Sequence, residues 1–177
     1  VVKNSLESYL LQINRFALLT PEEEFKLAVR YRKHNNIEAA QKLITSNLRF
    51  VVKVAFEYKS YGVKLLDLIQ EGNIGLMMAV KKFNPYKGYR FISYAIWWIR
   101  AYIQNFIIKT WSLVKIGTTQ AQKKLFYKIG KVRKALESDQ DSDKKYEKLA
   151  DDLEVAKEDI IEMEQRMSAR DLSLDNP

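Results

Sequence analysis

The stretch RFISYAIWWIRAYIQNFIIKTW, residues 90–111, limits what this chain can fold into more than any other. Its apolar residues recur at steps of three and four, the period of an α-helix, yet it holds more aromatic surface than one buried face absorbs. Ala95, Ile96, Ile99, Ile103 and Phe106 gather on one side and suffice for a core face. Tyr94, Trp97, Trp98, Ala101 and Gln104 fall largely on the other side, with Trp98 partly returning toward the core. Such a helix is either wrapped by neighbours on both faces or keeps a row of rings outside, beside Arg90, Arg100, Lys109 and Lys115. Flat rings stack on unpaired bases without demanding a particular sequence, and cations hold phosphates, so an outward row suits single-stranded nucleic acid.

The same spacing runs over most of the 177 residues, with 6 Gly, 3 Pro and no convincing alternating strand, which predicts an all-α fold. The length suits one multi-helix core domain and a smaller appended one. Thr20, Pro21 and Glu23 form a capping signature for a helix over 21–33, and Asn35 with Glu38 repeats it for a long helix that Gly62 ends. The next helix begins near Asp67 and contains Gly72 and Gly75. Each glycine costs roughly 1 kcal/mol against alanine there, and the expected compensation is close approach of another backbone. Asn84, Pro85 and Gly88 make a loop, the aromatic helix covers 92–108, Gly117 breaks the pattern, and Thr119 caps a basic helix over 120–136. His34 falls in a connecting turn and suggests no special role. The expected domains are thus 1–136, an acidic linker at 137–143, a small helix-turn-helix-like domain at 144–171 with its second helix starting near Lys157, and a tail at 172–177.

Charge is divided along the chain. Gly72 to Leu136 contains no acidic residue, while Lys81 to Lys134 holds thirteen Lys and Arg; residues 135–177 carry fourteen acidic side chains against six basic. A single-sign stretch of that length points to a polyanionic partner, whereas the acidity of the small domain argues against independent DNA binding. Other classes find little support. With no cysteine there is no disulfide or thiolate metal site, and a single histidine, no nucleophile elbow and no phosphate-cradling glycine loop argue against an enzyme or a cofactor. Arg100, Gln104 and Asn105 interrupt the most apolar run, which argues against a membrane span, and no leader is read at Val1, so a cytosolic protein is expected.

NLRFVVKVAFEY, DLIQEGNIGLMMAVKKF and GYRFISYAIWWIRAYI, in that order, resemble the core-binding and promoter-melting segments of bacterial RNA polymerase sigma factors of the sigma-seventy family. TWSLVKIGTTQAQKKLFYKI and LEVAKEDIIEMEQRMSARDLSLD resemble segments of that family's heat-shock branch. The resemblance implies that Asp67, Gln70 and Glu71 grip the beta-prime clamp helices of core polymerase; their i, i+3, i+4 spacing also makes them one patch. Gln122, Lys123, Lys124, Leu125 and Phe126 lie in a segment similar to an extra polymerase contact. Phe91, Tyr94, Trp97 and Trp98 match the melting aromatics that hold a flipped base of the non-template strand, in a pocket that Phe83 and Lys87 would line. Asn47 and Arg49 match residues that meet the downstream end of the melted element, and Arg90 and Arg100 match phosphate contacts. Ala101, Gln104, Asn105 and Lys109 complete the set expected to meet DNA. Where housekeeping relatives read the most upstream base pair with a glutamine and a threonine, this chain has Ala101 and Gln104, which leaves that base choice open. Both tryptophans of the wedge are kept, as in housekeeping relatives, while the flank is of heat-shock type. The C-terminal domain that reads the upstream promoter element is not in these residues, and truncation is expected. A regulatory chaperone or protease is a further family expectation.

Energies divide the labour. Opening about ten base-pair steps costs on the order of 14 kcal/mol at a mean near 1.4 per step. Two or three bases captured on rings return roughly 1 to 3 kcal/mol each. The wedge alone does not melt a promoter, so polymerase must supply the rest. Two rival readings use the same residues: a general single-strand binder that needs no enzyme, and a protein scaffold whose rings a partner helix buries. The patch at Asp67, Gln70 and Glu71 separates the polymerase-docking reading from the first of these, because a free-standing binder has no use for it.

Overall fold

A computed structural model describes residues 5–110, 120–136, 150 and 157–168. Among them are seven α-helices, two 3-10 turns and no strand, the all-α fold expected. The helices are α1 (Ser5–Ile13), α2 (Pro21–His34), α3 (Ile37–Glu57), α4 (Leu65–Lys82), α5 (Phe91–Thr110), α6 (Gln120–Leu136) and α7 (Lys157–Ser168). The chain divides into two units, Val1–Ile107 and Ile108–Pro177.

Local chemistry starts and stops the helices of the first unit. Thr20 caps α2 reciprocally: its Oγ1 accepts from the Glu23 N–H at 3.3 Å, and Glu23 Oε2 accepts from the Thr20 N–H at 2.9 Å. Asn35 ends α2 in the left-handed region, φ 47°, which asparagine tolerates, so the cap of α3 moves one residue on. Asn36 Oδ1, rather than Asn35, accepts from the Ala39 N–H at 2.8 Å. The long helix stops at Glu57; a 3-10 turn, Lys59–Tyr61, leads to Gly62 at φ 76°. α4 begins at Leu65, which puts Asp67 in its first turn, where the helix dipole favours a negative charge. α1 escapes the sequence reading, although Leu6, Tyr9, Leu10 and Ile13 carry helical spacing; it packs on α3, with Ile13 buried.

α3 is central to this unit, with α1, α2 and α4 packed against it. Its Leu43, Val51, Val54 and Ala55 are buried, as are Leu68, Ile69, Leu76 and Ala79 of α4. The buried line of α5 is Phe91, Ala95, Ile99, Ile103 and Ile107, at steps of four; Ile96 and Phe106, expected in the core, are half-buried. The expected close approach of another backbone occurs at Gly75, whereas Gly72 is approached by side chains. A Cβ at Gly75 would lie 2.7 Å from the Trp98 carbonyl oxygen and 2.9 Å from Ile99 Cα, while one at Gly72 would meet Val51 Cγ1 at 2.6 Å.

In the second unit α6 packs against α7. Leu125, Phe126 and Ile129 of α6 and Ile160, Met163 and Met167 of α7 are buried. The sequence grouped α6 with the first domain; the structure groups it with α7, where its apolar face is used. α7 starts at Lys157 as expected. The linker at 137–143, the Thr119 cap, the first turn of the helix-turn-helix outline and the tail lie outside the described residues.

Two outcomes test this packing. Gly75→Ala is expected to destabilise by about 1–3 kcal/mol, because backbone must move to admit the methyl and this outweighs alanine's helix preference; Gly72→Ala, facing a side chain, should cost less in the same thermal melt. The Thr20 hydrogen bonds hold the Glu23 carboxyl below its ordinary value of 4.5. A lowered folded-state pKa stabilises above the unfolded value and ceases to as pH falls through the folded one. The advantage of the native chain over Glu23→Gln should therefore be larger at pH 7 than at pH 3 in denaturant titrations.

Candidate nucleic-acid interface

The N-terminus of α5 is held by a residue that the sequence did not mark. Glu24, on α2 and only 6% exposed, accepts from the Phe91 N–H at 2.8 Å through Oε1. The same carboxylate takes Arg90 Nε and Nη2, both at 3.2 Å. One buried side chain thus satisfies an orphan donor of the helix end and sits at its positive pole. Glu24 lies third in Glu22-Glu23-Glu24, and nothing in the run distinguishes it; the packing of α2 does.

From this anchor the rings form a graded bank. Phe91 is 0% exposed and Phe83 nearly as buried, their centroids 5.1 Å apart and edge to face. Tyr94 and Tyr89 lie on Phe83 at 5.8 and 5.9 Å, and stack on each other at 6.1 Å with 28° between planes. Trp98, half-buried, meets Tyr94 edge-on at 6.4 Å, with Lys82 Nζ 5.1 Å from its ring. Trp97 stands outside at 70% exposure. Of the five expected melting rings, Phe91 thus shows no face to a ligand here, and Phe83, 7% exposed, serves mainly as the floor under Tyr94 and Tyr89. Tyr89 was missed because an aromatic in a loop gives no periodic signal.

A cleft of about 350 Å³ opens beside the bank, walled by Glu24, Phe25, Phe83, Tyr86, Tyr89 and Arg90 among others. Phe83 lines it as expected, whereas Lys87 is exposed in the same turn and is not part of the wall. Phe25 and Tyr86 meet edge to face at 6.1 Å on its rim.

The expected phosphate-binding cations already have partners. Arg90 is paired with Glu24, Arg100 Nη2 with Glu57 Oε2 at 3.1 Å, and Arg49 Nη2 with the Phe16 carbonyl at 2.7 Å. Asn47 Nδ2 donates to the Leu43 carbonyl at 2.7 Å. Gln104 Nε2 donates to the Tyr58 hydroxyl at 3.0 Å, and burial raises the pKa of that hydroxyl. Ala101, Asn105 and Lys109 are exposed along α5.

The docking patch differs from expectation at one point and extends it at another. Asp67 and Gln70 are exposed and Glu71 is half-buried. Ile74 and Met77, which the sequence did not mark, are 39% and 42% exposed and continue the stripe at the next turns. Of the second expected contact, Gln122 and Lys123 are half-buried and Lys124 is exposed, but Leu125 and Phe126 are each 1% exposed. Those two are core of the second unit and offer a partner no surface. Among the described residues no group of three His, Cys, Asp or Glu is placed to hold a metal, and no helix is long and apolar enough to cross a membrane.

Residues 43–112 match Sigma-70 region 2, and residues 4–36 match Sigma-70 factor, region 1.2. The chain belongs to the sigma-70 family. It is 55% identical to the RNA polymerase sigma-C factor of Myxococcus xanthus, an alignment covering 98% of this chain and 60% of that protein. It is 61% identical to the sigma-B factor of the same organism, over 76% of this chain and 56% of the relative. The sigma factor RpoH of Zymomonas mobilis is 47% identical, over 93% of this chain and 55% of the relative. The chain therefore spans a little over half the length of these relatives. In this sigma-family chain Glu24 falls in the region 1.2 match and Phe91 in the region 2 match, so the buried carboxylate joins the two. Glu24→Ala is expected to cost about 1–3 kcal/mol by exposing an uncapped helix end and an unpaired Arg90. Glu24→Gln should cost less, since its amide oxygen still accepts from Phe91; equilibrium unfolding of the two variants checks the order.

Proposed function

We propose that this chain is the part of a sigma factor that docks on core RNA polymerase and captures the downstream promoter element as melted non-template strand. The observation that carries the reading is Trp97, an indole 70% exposed on the helix that carries the ring bank, in a stretch from Gly72 to Leu136 without one acidic residue. A large ring left in water on a basic stretch suits a flat ligand of opposite charge. Tyr94, Trp98 and Tyr89 would offer further stacking faces, and the cleft beside Phe83 has room for an extruded base. Lys81, Lys82, Lys87 and Lys109 are exposed and would meet phosphates of the melted strand, with Arg90 and Arg49 sharing them with their present partners, while Arg100, paired with Glu57, would meet those of the adjoining duplex.

Docking would use Asp67, Gln70 and Glu71 with Ile74 and Met77, a polar patch with an apolar extension that fits a helical partner such as the beta-prime clamp. Gln122, Lys123 and Lys124 would add the second contact without Leu125 and Phe126. Similarity to RpoH supports a stress or heat-shock type. Catalysis would stay with the polymerase, in the cytoplasm. The proposed domain division shortens the docking and melting body from 1–136 to 1–107 and assigns α6 with α7 to the second unit, 108–177.

The test is binding of a labelled non-template oligonucleotide to the chain with and without core polymerase. Strong binding only with polymerase is expected; equal affinity in both would favour the free-standing binder, and none in either the scaffold. Trp97→Ala should lower oligonucleotide affinity about tenfold, from the roughly 1–3 kcal/mol of one stacked base, and leave polymerase binding intact. Gln70→Ala should do the reverse. If each change weakened both steps alike, the division of surfaces would be wrong.

A further inference from the structure

The ring bank lies in a stretch without acids, yet α3 brings one to its edge. Glu57, the last residue of α3, sets Oε2 3.1 Å from Arg100 Nη2, and the next residue, Tyr58, takes Gln104. Consecutive residues of α3 thus engage positions i and i+4 of α5, on the Ala101 side of Trp97. Both charged side chains remain open to water, Glu57 at 49% and Arg100 at 37%. Arg100 Nε is buried without a partner, so the ion pair does not saturate the guanidinium.

A pair this exposed contributes little to folding. Its effect on an incoming polyanion is larger, since a phosphate reaching Arg100 must compete with a carboxylate already there and be repelled by it. We propose that Glu57 is a selectivity residue that disfavours paired DNA at the Arg100 end of α5, so that retention depends on unpaired bases held by the rings at Tyr94, Trp97 and Trp98. The inference rests on the proposed function, taken with the match of Ala101 and Gln104 to positions that meet the most upstream base pair of the element. Stacking on uncharged rings is indifferent to Glu57, whereas duplex binding, which is mostly phosphate contact, is not. The carboxylate thereby separates two binding modes that a wholly basic surface would accept together.

The experiment uses the chain bound to core polymerase, with two labelled DNAs: a closed duplex bearing the downstream element, and its non-template strand alone. Affinities are read between roughly 50 and 200 mM salt. Glu57→Gln is expected to tighten duplex binding about threefold to tenfold and to steepen its log–log salt slope by about 0.9, one added phosphate contact. Single-strand affinity should stay as it was, with the melting temperature little changed. Unchanged duplex affinity and slope, or an equal gain on both DNAs, would overturn the proposal. Trp97→Ala, run alongside, separates the two levels: if it loses the single strand while Glu57→Gln alters nothing, only the selectivity role falls. If Trp97→Ala also alters nothing, the reading of the ring bank falls with it.

Discussion

Because Gly75 has no side chain, the backbone of α4 meets the backbone of α5 at Trp98 and Ile99, and this contact sets how α5 is rotated about its own axis. With that rotation Phe91, Ala95, Ile99, Ile103 and Ile107 turn inward, and Trp97 can only turn out. A helix too aromatic for one core face is thereby divided into a buried line and an outward bank. The cost of a glycine inside a helix, roughly 1 kcal/mol, is offset by packing that no larger residue allows.

Two carboxylates from other helices act on the same element in different ways. Glu24 is buried, caps the first turn and orders Arg90 beside it, so the ring bank starts from a fixed point. Glu57 is exposed, near mid-helix, and holds Arg100 from the side. Burial decides the difference: a desolvated carboxylate with three donors is structural, while a solvated one at the edge of a basic surface acts mainly on what approaches.

α4 presents two different faces. Leu68, Ile69, Leu76 and Ala79 are buried inside the unit, whereas Asp67, Gln70, Ile74 and Met77 look outward.

Helix existence, the capping box at Thr20, the backbone approach at Gly75 and the outward Trp97 were legible in the residues, because each follows from local periodicity or from the chemistry of one residue type. The family was legible from three long motifs, and the exposure of Asp67 and Gln70 from their polarity. Other features were not. Phe91 and Trp97 share one helix and one residue class, and only their angle to α4 makes one a floor and the other a face. Glu24 cannot be told from Glu22 or Glu23 by neighbours in sequence, since what singles it out is a helix start 67 residues away. Nothing in the sequence sets Ile74 and Met77 apart from the buried apolar residues of α4, and Leu125 with Phe126 reads as surface until α7 covers α6. Periodicity determines that a helix has faces; which face meets protein and which meets solvent depends on contacts between distant segments, and the tertiary structure alone decides them.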